Sequence, residues 1–99
     1  MIKVLLERRV AKENLTRLIG YLVDLRAAAL KQKGYVTGET LVKRNDAIDV
    51  MTISTWISEE HWKAWTTTAT RIELDDIING IIIGDPRVSI YTMQSEENH

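Results

Sequence analysis

Four side chains stand out for the chemistry their types allow. His61, in the run SEEHWKAW, carries an imidazole that titrates near neutral pH and suits proton transfer or polarisation of a bound oxygen. Trp65 follows four residues later, one helical turn on and on the same face, so a flat indole with one N–H donor stands beside that imidazole. Glu7, in the opening run IKVLLERRV, becomes a proton acceptor if it faces a closed pocket, because desolvation raises a carboxyl pKa. Tyr35 is a further polar aromatic able to reach a cavity, as are Tyr21, Thr40 and Arg71, and spacing selects none among them. Each has a plainer reading beside it. Trp65 fills a core at helical spacing from Trp62, His61 is solvated at the polar start of a helix, Glu7 is an edge charge, and Arg71 pairs with Asp75 one turn on.

Other chemistries lack their residues. The chain has no cysteine, no G-x-S-x-G elbow, no Walker loop and no G-x-G-x-x-G. Its two histidines, one of them the last residue, cannot build a usual metal centre without carboxylates in most positions, so no metal is expected. A net charge of −1 over 99 residues argues against nucleic-acid binding, which calls for a basic stripe. The opening segment, with Lys3, Glu7, Arg8 and Arg9, is neither a signal peptide nor a membrane anchor. The expectation is a soluble cytoplasmic protein without cofactor, formed of one domain over residues 1–93 with a polar tail at 94–99.

These residues must be positioned by regular elements. Residues 1–9 read as a strand, with Ile2, Val4 and Leu6 alternating with Lys3, Leu5 and Glu7. From about Lys12, Leu15, Leu18, Ile19, Leu22, Leu25, Arg26 and Ala29 recur at helical steps, and Gly34 supplies the stop. Gly20 weakens that helix and suggests a close approach to a sheet. Residues 35–44 and 47–57 form a hairpin about Asn45–Asp46, with Gly38 marking a bulge. Ser58 caps a helix carrying His61, Trp62 and Trp65, Thr66 to Thr68 break it, and a second piece runs over residues 69–80. A last strand spans residues 87–93 after the turn Gly84–Asp85–Pro86. The order βαββαβ predicts an α+β, ferredoxin-like domain, a four-stranded antiparallel sheet with its helices on one face.

That architecture leaves one sheet face bare. Leu5 shares it with part of the set Ile48, Val50, Ile53 and Ile57, and a bare apolar face calls for another sheet. The expected partner is a second copy, in a homodimer packed through the open face. At this size the core of one chain is limited, and a partner adds burial.

The block Gly34, Tyr35, Gly38, Glu39, then Ser54, Thr55, Trp56, then HWKAW resembles the antibiotic biosynthesis monooxygenase family, over nearly the whole chain from Met1 to about Met93. The resemblance implies a dimeric α+β barrel with a pocket between the helices and the sheet of each subunit. It implies that Trp65 stacks on a flat aromatic substrate, and that His61 stands where quinol-oxidising members place an asparagine. Glu7 stands where haem-degrading members place an asparagine, and Asp75 falls near their haem-ligating histidine, which argues against haem. Two functions follow as expectations. One is a cofactor-independent monooxygenase oxidising a small quinol- or anthrone-like aromatic, with His61 and Glu7 catalytic and Trp65 and Tyr35 contacting substrate. The other is a non-catalytic dimeric barrel that binds a small molecule.

Overall fold

The computed structural model describes residues 1–94; the expected tail residues Ser95–His99 lie outside the described residues. Strand β1 (Ile2–Val10) buries every second side chain, so Ile2, Val4, Leu6, Arg8 and Val10 lie on one face and Lys3, Leu5, Glu7 and Arg9 on the other. The chain then makes a 3-10 turn at Lys12–Asn14 before α1 (Leu15–Ala29), which buries Leu18, Leu22, Leu25 and Ala29 against the sheet. The helix therefore starts later and stops earlier than the sequence suggests. Leu30 to Lys33 form a turn, and Gly34 follows in the left-handed region at φ 89°, which a side chain rarely adopts.

Strands β2 (Tyr35–Arg44) and β3 (Ile48–Trp56) pair antiparallel as the expected hairpin, with the register irregularity between Tyr35 and Thr37, just ahead of Gly38. Helix α2 (Glu59–Thr66) is capped by Ser58 and α3 (Ala69–Asn79) by Thr68, whose hydroxyls accept from the His61 and Arg71 amides. The break between them falls at the expected threonines, because each of Thr66, Thr67 and Thr68 turns its hydroxyl back onto a preceding carbonyl. Strand β4 (Arg87–Thr92) completes a sheet of order β2-β3-β1-β4, all pairs antiparallel, which is the ferredoxin-like α+β arrangement.

The core lies between sheet and helices. Val10, Leu18, Val50, Trp56 and Ile78 are its fully enclosed members. Each such side chain contributes roughly 1.5–3 kcal/mol on removal from water. Gly20, by contrast, faces open space with no atom near a would-be Cβ, so the expected close approach to the sheet does not occur. The other sheet face is bare, with Leu5, Met51 and Ile53 half-buried and Leu41 and Tyr91 exposed. Among the described residues no helix is long and apolar enough to cross a membrane.

Candidate active site

Between α1, α2 and the inner face of the sheet lies a cavity of about 90 Å³, open to solvent. Alternation along three paired strands supplies its floor. Leu6 is opposite Thr52 and Val4 opposite Ser54, while Thr40 and Gly38 continue the same rows on β2. Two hydroxyl-bearing rows thus run through an otherwise apolar floor, which gives a flat ligand hydrogen-bonding points without charge.

The walls are aromatic. Trp56, at the end of β3, meets Tyr35 edge to face at 5.3 Å between centroids, and lies near-parallel to Trp65 at 6.4 Å. Its indole N–H donates to Ser54 Oγ at 3.0 Å, so a buried donor is satisfied inside the wall. Trp62 and Trp65 reach the cavity from α2, where a spacing of three places both on the side turned to the sheet. Trp65 is only 5% exposed, and the Arg71 guanidinium carbon lies 5.7 Å from its ring centroid. Much of its surface is therefore already in contact with protein, and it offers wall more than an open stacking platform. Gly38 leaves room for Tyr35: a Cβ there would come within 2.5 Å of the tyrosine hydroxyl.

Two buried guanidiniums, those of Arg8 and Arg71, border this cavity. Arg8 is buried, with its side chain 4% exposed, and its Nη2 lies 3.8 Å from Asp75 Oδ1 on α3. The other carboxylate oxygen of Asp75 accepts from Arg71 Nε at 2.7 Å, the expected one-turn pair. Arg8 Nε–H is shielded from solvent and has no acceptor among the described residues. Burial pushes this guanidinium down to about 10; Asp75 pulls it up and Arg71 pushes it further down. It remains protonated at neutral pH.

The expected site residues divide two and two. Trp65 and Tyr35 line the cavity together. His61 does not: its Nδ1 lies 2.6 Å from Ser58 Oγ and its ring covers Gly34, where a Cβ would run into it. At the third helical position it is held by the cap rather than aimed at the sheet. Glu7 lies on the opposite face of β1, where it accepts from Arg87 Nη2 at 2.6 Å beside a separate groove on the bare sheet face. The expectation that Glu7 and His61 flank the pocket is corrected on this geometry. For Glu7 the reason is strand alternation, since Arg8 takes the inward place. Arg8, Trp56, Thr52 and Ser54 are lining residues that the sequence reading passed over. The period of two that puts Ile2, Val4 and Leu6 inward was signal enough for Arg8.

Asp75, near the place the family resemblance gives to a haem ligand, offers a carboxylate engaged with two guanidiniums instead of a free imidazole, a poor fit to haem iron. Among the described residues no three His, Cys, Asp or Glu side chains gather into a metal-binding group.

Comparison with solved structures supports the fold. A conserved protein from Methanosarcina mazei Go1 superimposes with a TM-score of 0.85 at 16% identity, covering 94% of this chain and 92% of the other. An antibiotic biosynthesis monooxygenase gives 0.85 at 16% identity over 96% and 100%. SnoaB, a cofactor-independent oxygenase from Streptomyces nogalater, gives 0.81 at 10% identity over 99% and 98%. No curated protein matches the chain by sequence. The sequence model of the antibiotic biosynthesis monooxygenase family matches residues 1–71, from β1 through the start of α3, and the chain belongs to that family.

Proposed function

We propose that the protein is a cofactor-independent monooxygenase of a small aromatic substrate, formed of one domain over residues 1–93 and working as a homodimer packed through the bare sheet face. The observation that carries the reading is the cavity itself, an aromatic-walled slot over a floor of hydroxyls, in a member of this family. Its size favours a small ring. An apolar cavity of about 150 Å³ holds one benzene, so a space of about 90 Å³ takes a single ring only with some widening or with part of the ligand in the mouth. A single-ring quinol therefore suits it better than a three-ring anthrone.

The chemistry draws its electrons from the substrate. Loss of a proton from an acidic phenol or enol gives an anion that passes an electron to dioxygen. Recombination at carbon forms a C–O bond and a hydroperoxide. Loss of water then turns that carbon, a ring C–H of a quinol or the CH₂ of an anthrone, into a C=O, so that one oxygen atom enters the product and the other leaves as water. The protein contributes position and desolvation, with Trp65 and Tyr35 contacting the ring. Oxygen uptake with a panel of hydroquinones and anthrones tests this; no uptake above the uncatalysed rate with any of them overturns it.

A second reading is favoured by one observation. Neither His61 nor Glu7 reaches the cavity, so a side-chain base of the expected kind is missing from its lining. On that reading the dimer binds its aromatic ligand without turnover, and ligand-induced stabilisation without oxygen uptake distinguishes it.

A further inference from the structure

Arg8 is the one feature of the cavity that an uncharged aromatic ligand leaves unexplained. A guanidinium buried to this depth is costly unless its donors are matched and its charge is countered. Its nearest carboxylate, Asp75, is 3.8 Å away and already accepts the 2.7 Å hydrogen bond of Arg71. Two cations thus share one anion, and one positive charge is left over beneath the cavity. The Arg8 Nε–H has no acceptor among the described residues and is shut off from water, so solvent does not satisfy it.

We propose that the cavity takes its ligand as an anion, an aromatic carboxylate or phenolate whose charged oxygen is held by the guanidiniums of Arg8 and Arg71. The proposal rests on the aromatic-ligand reading above and adds the charge of the substrate class. The other charged or titratable groups near the space are Asp75 on α3, Tyr35 on β2 and the exposed Arg26 on α1, while the exposed Glu39, which borders it on β2, stands in the row of Ile53 and Leu5 on the other sheet face. Among the described residues Asp75 is the one carboxylate paired with Arg8 or Arg71, so the surplus at the floor is not cancelled. Reaching the Nε–H requires the cavity to widen, which entry of any ring demands. For a phenol, the same field makes the bound hydroxyl more acidic. The cavity then promotes deprotonation without His61 or Glu7 in its lining, because water accepts the proton once the phenolate is stabilised.

Titration of the full chain with benzoate, benzamide, acetate and para-nitrophenol tests this, read by tryptophan fluorescence and by nitrophenol absorbance. Benzoate is expected to bind at least about tenfold tighter than its neutral isostere benzamide, as a charge-assisted contact to a buried guanidinium implies. Bound para-nitrophenol is expected to show a pKa lowered by about one. In Arg8→Met the benzoate advantage is lost and benzamide binding is kept, while Arg8→Lys restores part of it. A benzoate advantage without a nitrophenol shift identifies a carboxylate ligand, and a nitrophenol shift alone identifies a phenolate. Benzamide binding as tightly as benzoate, with no nitrophenol shift, overturns the proposal and leaves the aromatic reading standing. Acetate binding without benzamide binding overturns the aromatic reading and leaves the anion site. Silence from all four overturns both. The comparison within the wild-type protein decides the matter even where Arg8→Met fails to fold.

Discussion

The Nδ1 of His61 lies 2.6 Å from the Oγ of Ser58, and the same hydroxyl accepts the His61 backbone N–H at 3.3 Å. Side chain and backbone of one residue thus converge on one cap. The ring also lies over Gly34, whose carbonyl accepts from the Ile57 amide at 2.8 Å, so His61 ties the start of α2 to the turn after α1. Ser58→Ala is expected to cost about 1 kcal/mol of stability, as loss of a helix cap does. His61→Ala is expected to cost a similar amount, on the order of 1 kcal/mol, and to leave benzoate or benzamide binding unchanged. Urea denaturation read beside a binding titration checks both. Retained stability with lost oxygen uptake would return His61 to a role in proton transfer.

Gly38 and Tyr35 form a second coupled pair, because a Cβ on Gly38 meets the Tyr35 hydroxyl first. Gly38→Ala is expected to destabilise the protein and to shift Tyr35 within the cavity. In the Tyr35→Phe background, where that hydroxyl is gone, the same substitution is expected to be close to neutral. A double-mutant cycle in chemical denaturation should give a coupling energy of about 1 kcal/mol or more. Additive effects would show that the close approach is relieved elsewhere.

Gly20 sits at an exposed position in α1, outside the left-handed region and with open space where a Cβ would go. Gly20→Ala is expected to raise stability by about 0.5–1 kcal/mol through the lower entropy of the unfolded chain and the better helix propensity of alanine. For a domain of this length that is a rise in Tm of a few degrees, roughly 4–8 °C per kcal/mol, readable by circular dichroism. A fall in Tm would mean that Gly20 meets a partner chain.

The bare sheet face carries the dimer proposal. Leu41 is 49% exposed and Tyr91 57% exposed on that face, around the charged pairs Glu7–Arg87 and Arg9–Asp49. Sedimentation is expected to give a dimer at micromolar concentration for the wild-type chain and a monomer for Leu41→Glu, which places an unpaired charge in the interface. A wild-type monomer at that concentration ends the proposal.

Much of the fold was legible because local periods are strong where a segment has one clear buried side. The step of two in β1 and the three- and four-residue steps of α1 each name a face without reference to the rest of the chain. The threonine break between α2 and α3 was equally local, since hydroxyls compete for the backbone within a single turn. The end of α1 was less legible. Leu30 to Lys33 have ordinary helix-forming side chains, yet past Ala29 the chain tightens into i→i+3 bonds, Lys31 N–H to the Ala28 carbonyl and Gln32 N–H to the Ala29 carbonyl, before Gly34 turns left-handed.

For the site, the sequence determined that aromatics would gather: Tyr35, Trp56, Trp62 and Trp65 each fall on the inward side of their own element. The face of Arg8 was also present in the alternation, obscured because a charged residue in a row of aliphatics looks like an error in the pattern. Only the tertiary structure decided that Arg8 shares the carboxylate of Asp75, 67 positions away in the chain, with Arg71. It also decided that His61 is spent on a cap and Glu7 on Arg87. Residue type fixes what a group can do. Whether it acts in a cavity depends on the desolvation and counter-charge around it, which packing from distant segments supplies.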